Sequence, residues 1–128
     1  MEAKLLEGTK DDAGKERFDL LPPDALFEVA RVFTIGGTKY SPRNWEKGLT
    51  FGRVFAAMMR HAWKWFAGER YAQDDGQHHL ASVVWCGLAL LHYDLNAERY
   101  WEFDDRPSRL AEGDDTTARM LKTAGVER

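Results

Sequence analysis

Four side chains that bind metals or move protons fall within six residues of one stretch, DDGQHHLASVVWCGLALLHYD, which begins at position 74: Asp74, Asp75, His78 and His79. Carboxylates and imidazoles at this density can hold a divalent cation or exchange a proton with a reacting oxygen. The same residues also suit a plain helix start, with one acid capping and another in the first turn. A histidine at a helix N-terminus is disfavoured in its charged form. His79 is therefore expected to be neutral, with a ring nitrogen free to accept a proton or bind a metal. Ser82 and Cys86 continue its line at steps of three and four, beside an apolar stripe. His61 lies among Met58 and Trp65. Its plainer reading is a hydrogen-bonded core histidine, and that of His78 a solvent-facing side chain.

Other carboxylates extend the candidate set. Asp24 and Glu28 stand four apart, on one side of a helix, and Glu69 precedes the acidic turn at Asp74. A hard cation such as Mg²⁺ takes several oxygen ligands, with waters and substrate phosphates completing its shell. Carboxylates from facing helices can supply such ligands inside a bundle. The competing roles are an ion pair between Glu28 and Arg31 and helix capping by Asp74 and Asp75. The loop TKYSPRNWEKG brings Lys39, Arg43 and Lys47 together with Tyr40, Asn44 and Trp45. Cations suit phosphates and aromatic faces suit a base, although a solvated loop with a Trp plugging the core is also consistent. Arg53, Arg60 and Lys64 follow at steps of seven and four and share one helix face. No Walker-type loop, nucleophile elbow or Cys–His pair is present. Metal-assisted attack by water is the chemistry that remains.

These residues need helices to position them. Pro22, Pro23 and Asp24 signal a helix start, Leu26, Val29, Ala30 and Phe33 repeat at helical spacing, and Gly36 and Gly37 are expected to end the helix. Thr50 is placed to cap a second helix, from about Phe51 to Phe66, with Phe55, Met58, Met59, Ala62 and Phe66 as its core face. A third is expected from Gly76 or Gln77 to about Glu98, burying Leu80, Val83, Val84, Leu88 and Leu91. No period-two run of useful length appears, so the fold class is all-α, a small helical bundle. Three helices make a thin core, and pairing with a copy of the same chain is expected to complete it. Residues 1–17 read as a polar arm, 18–98 as the helical domain, and 99–128 as a polar tail. Tyr100, Trp101 and Phe103 of that tail are candidates to dock, and a short helix is expected from about Thr116.

Bulk properties narrow the partners. The 128 residues suit one domain, and the net charge of −3 argues against a broad grip on duplex nucleic acid. Cys86 is the single cysteine, which excludes an internal disulfide and fits a reducing cytoplasm. No apolar run reaches the length of a membrane span, and the charged N-terminus does not suit a signal peptide.

Three segments together carry a resemblance: RFDLLPPDALFEVARVFTIGGTKYSPRNWEKG, RHAWKWFAGE and DDGQHHLASVVWCGLALLHYD. In this order, over about residues 15–95, they resemble the phage and bacterial dATP/dGTP diphosphohydrolase N-terminal-type domain. The resemblance implies a helical nucleotide pyrophosphohydrolase, functionally akin to MazG-like enzymes. Such an enzyme splits dGTP or dATP to the monophosphate and pyrophosphate with Mg²⁺ or Mn²⁺. Pro22, Pro23, Asp24 and Glu28 match the pattern's first helix, and Lys39, Tyr40, Arg43, Asn44 and Trp45 match its loop. Arg60, His61, Gly68 and Glu69 match its Arg-His pair and Gly-Glu, and Asp74, Gly76 and His79 its acidic turn. Two positions depart: an acid is replaced by Ala72, and the second histidine of HLAH by Ser82.

The expected reading follows. Glu28, His61 and His79 are the catalytic candidates. Glu28, Glu69, Asp74, Asp75 and His79 are the metal candidates. Lys39, Tyr40, Arg43, Asn44, Trp45, Arg60 and Lys64 are the substrate candidates, for a purine deoxynucleotide. The expected location is cytoplasmic, the host cytoplasm if the source is viral, without a membrane partner and as a homo-oligomer. Two other classes stay open: a nucleotide-sequestering protein of the same fold, and a structural domain whose Trp-rich surface is an interface.

Overall fold

The structure, a computed structural model, describes residues 5–107. The helix expected from Thr116 lies outside that range. Four helices follow in order: α1 Pro23–Lys39, α2 Phe51–Phe66, α3 His79–Leu95 and the short α4 Ala97–Tyr100. Single 3₁₀ turns cover Phe18–Leu20, Asn44–Lys47 and Trp101–Phe103. Among the described residues there is no strand, only one isolated antiparallel bridge between Tyr71 and His78. The fold is all-α.

α1 starts where its prolines predict, with Pro23 in its first turn and Asp24 behind it. It does not stop at Gly36 and Gly37. Both are helical, and the chain leaves the helix only at Tyr40. Glycine inside a helix costs only about 1 kcal/mol, whereas Pro42 disfavours the helical conformation at Ser41 outright. α2 has the expected limits, yet its N-cap Thr50 makes no side-chain bond. Asp105 takes that role from far along the chain, its Oδ1 accepting from the Gly52 amide at 2.7 Å. α3 is shorter than expected at both ends. Residues 70–78 are drawn into a turn, in which the Ala72 amide donates to Gln77 O at 2.8 Å and the His79 amide to Arg70 O at 3.0 Å. At the other end Asn96 Nδ2 donates to His92 O at 2.8 Å and breaks the run.

α2 and α3 form an antiparallel hairpin, and α1 rests on α3. At one end of the hairpin Phe51 stacks on Tyr93, with ring centres 5.7 Å apart and planes 3° from parallel. At the other end His61 meets His79, with ring centres 5.2 Å apart. Between them the buried line of α3 runs His79, Ser82, Cys86, Ala89 and Tyr93, at alternating steps of three and four. Opposite lie Phe51 and Val54, with Met58 packed alongside. This corrects the expected faces. The polar-looking line of α3 is its buried one, because Ser82, Cys86 and Ala89 are small enough to let α2 approach closely. The most apolar stripe points outward: Val84, Leu88 and Leu91 are all exposed, as are Phe55 and Phe66 on α2.

Two tyrosines fix the loop before α2. Tyr93, fully buried, donates its hydroxyl to Trp45 O at 2.6 Å, and Tyr100 donates to Glu46 O. Burial pushes the Tyr93 hydroxyl up to about 12, with the neighbouring Tyr100 adding to the shift. Tyr100 and Phe103 thus dock on the body, while Trp101 stays exposed.

Candidate active site

The histidine cluster forms where the C-terminal end of α2 meets the start of α3. His61 comes from the last two turns of α2. His79 is the first residue of α3, held by its own amide bond to Arg70 O. Their Nδ1 atoms are 2.9 Å apart. His79 is fully buried, and its Nε2 lies 3.4 Å from Glu69 Oε1, too poorly aligned to count as a hydrogen bond. A close contact between two ring nitrogens needs one donor and one acceptor. If His79 Nδ1 carried the proton, its Nε2 lone pair would face the Glu69 carboxylate, two acceptors together. The favoured assignment puts the His79 proton on Nε2, towards Glu69. His61 Nδ1–H then donates to His79, and the His61 Nε2 lone pair is left to accept a proton. Burial lowers the His61 pKa, and the nearby His79, Lys64 and Arg60 lower it further, against a smaller opposite effect of Asp75. A neutral imidazole held this way is suited to general-base work.

His78 is not the solvent-facing side chain of its plainer reading but half-buried. It is the N-cap of α3, its Nδ1 accepting from the Leu80 amide at 3.0 Å. Ser82, at the position where the resembled pattern has a second histidine, is buried one turn after His79 on the same line. Ala72 is buried in the turn.

The expected metal donors do not converge. Asp74 Oδ1 accepts from the Asp75 amide at 2.9 Å, and Asp75 Oδ1 from the Gln77 amide at 3.0 Å, so both shape the turn. Glu28 sits on α1, 3.9 Å from Arg31. Glu69 and His79 face each other. Among the described residues no group of three or more His, Cys, Asp or Glu side chains is placed to hold a metal ion. The donor set of one chain does not fit a pre-built metal cage.

The substrate candidates gather elsewhere. A groove of about 940 Å³ is lined by Tyr40, Arg43, Asn44, Trp45, Arg53 and Trp85, among others. Leu49, Arg53 and Trp85 also border an adjoining recess of about 410 Å³, which Ala57 and Arg60 continue along α2. The aromatic wall is packed. The Trp45 ring centre is 5.9 Å from Phe33 and 6.4 Å from Trp85, and Phe33 is 6.0 Å from Trp85. Arg43, in a left-handed conformation with φ 59°, pairs with Glu46. Lys39 Nζ lies 5.3 Å from the Tyr40 ring centre and, like Glu28 and Lys64, outside both linings. Arg53 to His61 spans about 12 Å of helix rise. Groove and histidine pair thus sit along one helix. Sequence reasoning missed Trp85. Its signal is its place one turn after Ala81 on α3, from which its ring meets Phe33 of α1.

Comparison with known proteins adds the following. The family described as "dATP/dGTP diphosphohydrolase, N-terminal" matches residues 6–106. A protein of Salmonella phage PMBT28, named dATP/dGTP diphosphohydrolase, is 35% identical over 91 residues, which is 71% of this chain. The aligned stretch spans 31% of that relative's length. No solved structure matches significantly.

Proposed function

Because the chain belongs to the family of dATP/dGTP diphosphohydrolase N-terminal domains, we propose that it hydrolyses purine deoxynucleoside triphosphates to the monophosphate and pyrophosphate. The observation that carries this reading is the pair of adjoining recesses, one lined by Tyr40, Trp45, Trp85 and Arg53, the other by Trp85, Arg53 and Arg60. It offers aromatic faces for a base at one end. Guanidinium groups, which match phosphate geometry, follow along α2. The name of the phage relative, which specifies dATP and dGTP, supports a purine deoxynucleotide.

In this reading the base stacks at Trp45 or Trp85, and Arg43, Arg53 and Arg60 hold the phosphates, with Lys64 adding positive potential one turn on. Water attacks the α-phosphorus, and the bond to the bridging oxygen of the β-phosphate breaks. Pyrophosphate leaves with that electron pair, and His61 Nε2 takes the proton of the attacking water. His79 and Glu69 hold the His61 ring in its accepting tautomer. The reading includes a requirement for Mg²⁺ or Mn²⁺. Mg²⁺ on phosphates needs only one or two protein carboxylates, with Glu69, Asp74, Asp75 and Glu28 as candidates.

One observation favours a second reading. Among the described residues no three His, Cys, Asp or Glu side chains are grouped to hold a metal ion, and Ala72 and Ser82 replace polar groups of the resembled pattern. A protein of this fold that holds a purine nucleotide without cleaving it fits those features. Product analysis separates the two. Purified protein is incubated with each nucleoside triphosphate, with Mg²⁺, with Mn²⁺ and with chelator, and mono-, di- and triphosphates are resolved by ion exchange. Metal-dependent dGMP or dAMP with equal pyrophosphate is the expected result. Intact nucleotide recovered from denatured protein, without turnover, would overturn hydrolysis in favour of sequestration.

A further inference from the structure

The groove at Tyr40 and Trp45 holds a polar group that the fold does not use. Asn44 lines it, half-buried, between Arg43 and Trp45. Its backbone amide donates to Ser41 O at 3.1 Å, but among the described residues its side chain has no partner. Of the side chains around the groove it alone carries both an N–H donor and a carbonyl acceptor. The Thr34 and Thr38 hydroxyls donate along their own helix, to Ala30 O at 2.8 Å and Thr34 O at 3.1 Å. The chain nonetheless holds Asn44 in place. Arg43 before it takes the left-handed conformation, φ 59°, which few non-glycine residues adopt. After it, the carbonyls of Trp45 and Glu46 are bonded by Tyr93 and Tyr100. Strain fixed by its surroundings in this way clusters at ligand sites. A second observation comes from α1. Gly36 lines the same groove from inside that helix. Glycine is a poor helix former, and the fold does not ask for it here: its φ is not positive, and a Cβ would meet no atom within 4 Å. Bare backbone at this point lets a ligand approach closely.

We propose that Asn44 selects the base: its Nδ2–H donates to N7 of a purine stacked on Trp45 and lying against α1 at Gly36. This role rests on the nucleotide reading above and adds the residue that reads the base. N7 is an acceptor on adenine and guanine alike, and pyrimidines present no such atom. On adenine the Asn44 Oδ1 also accepts from the N6 amino group, a two-bond match. On guanine it would face O6, two acceptors together, so only the N7 bond forms. Adenine is therefore the better-held base. The Watson–Crick edges carry a donor beside an acceptor on all four bases, and an amide there would not separate purines from pyrimidines. Stacking on Trp45 adds affinity without choosing a base.

The test is nucleotide binding by the full chain, followed by tryptophan fluorescence with Ca²⁺ in place of Mg²⁺ to slow turnover. 7-Deaza-dATP, in which a C–H replaces N7, is expected to bind about tenfold more weakly than dATP. Among natural nucleotides dATP is expected to bind more tightly than dGTP, with dCTP and dTTP weakest. Asn44→Leu is expected to weaken dATP binding by about tenfold and to hold 7-deaza-dATP no less tightly than dATP. A merely structural role of Asn44 would not erase that difference. Gly36→Ala is expected to raise the melting temperature, because alanine is the better helix former, and yet to weaken dATP binding. Equal wild-type affinity for dATP and 7-deaza-dATP, tighter binding of dGTP than of dATP, or an Asn44→Leu variant that still prefers dATP to its 7-deaza analogue would each overturn the role of Asn44 and leave the nucleotide reading standing. Undiminished dATP binding by Gly36→Ala would overturn the place of the base against α1. Absence of binding of every nucleotide, with Mg²⁺ and with Ca²⁺, would overturn the nucleotide reading and this role together.

Discussion

His61 and His79 face each other Nδ1 to Nδ1 at 2.9 Å, across the end of an antiparallel hairpin and eighteen positions apart in the chain. The contact obliges one ring to donate and the other to accept. Glu69, 3.4 Å from the far nitrogen of His79, favours the arrangement in which His61 donates and keeps its outer nitrogen free.

His61→Gln is expected to lower kcat by about a hundredfold, within the usual range for loss of a general base, with KM changed little. His79→Gln is expected to lower kcat less, by about tenfold, because the ring acts through His61. Steady-state kinetics on dGTP and dATP, with circular dichroism to check the fold, make the comparison. Equal losses in KM and none in kcat would remove the pair from the chemistry.

The pH dependence follows from the direction of the His61 shift. Burial, followed by the neighbouring His79, lowers its pKa in the folded state. The base should therefore stay active below the ordinary histidine value of about 6.5. The acid limb of kcat/KM is expected to lie below that value and to vanish in His61→Gln. For stability the sign runs the same way. The unfolded chain binds this proton first, so stability is full above about 6.5 and falls as the pH drops through the folded value. Thermal melts across that window measure it, and a melt insensitive to acid would contradict the lowered pKa of His61.

Arg53 borders both the aromatic groove and the recess beyond it. Removing one charge-assisted contact costs about 1.5–3 kcal/mol, which is roughly tenfold to hundredfold in affinity. Arg53→Ala is expected to raise KM by that factor and leave the melting temperature within the ordinary surface range. Tritiated nucleotide binding or calorimetry checks it, and unchanged affinity would move the phosphates elsewhere.

Gly48 joins the loop to the C-terminal segment. Its φ is +112°, and a Cβ there would stand 2.3 Å from the Phe103 ring. Gly48→Ala combines backbone strain of about 1–3 kcal/mol with displacement of Phe103. It is expected to lower the melting temperature clearly. Asp105→Ala, which frees the Gly52 amide, is expected to cost about 1 kcal/mol. Denaturant titration of both variants orders the two effects. An Asp105→Ala as damaging as Gly48→Ala would show that the segment is held mainly by the cap.

The sequence by itself determined the helices, because capping residues, prolines and three–four spacing act locally. α1 begins at Pro23 and α2 spans Phe51–Phe66 as their residues predict. It also determined which residue types were available: the histidines, the arginine line of α2, and the aromatic loop at Tyr40 and Trp45. Tertiary structure decided which faces meet. The three–four rule finds an apolar stripe without saying what covers it. Close packing against α2 selected the line of small residues from Ser82 to Ala89, leaving Leu88 and its neighbours outside. Tertiary structure also buried His79 against His61 and brought Trp85 to the groove. The His61–His79 contact and the place of Trp85 depend on residues distant in the chain, which no local pattern encodes; the His78 cap and the Asp74–Asp75 turn are local bonds, one or two residues long, chosen among several that the same sequence allows.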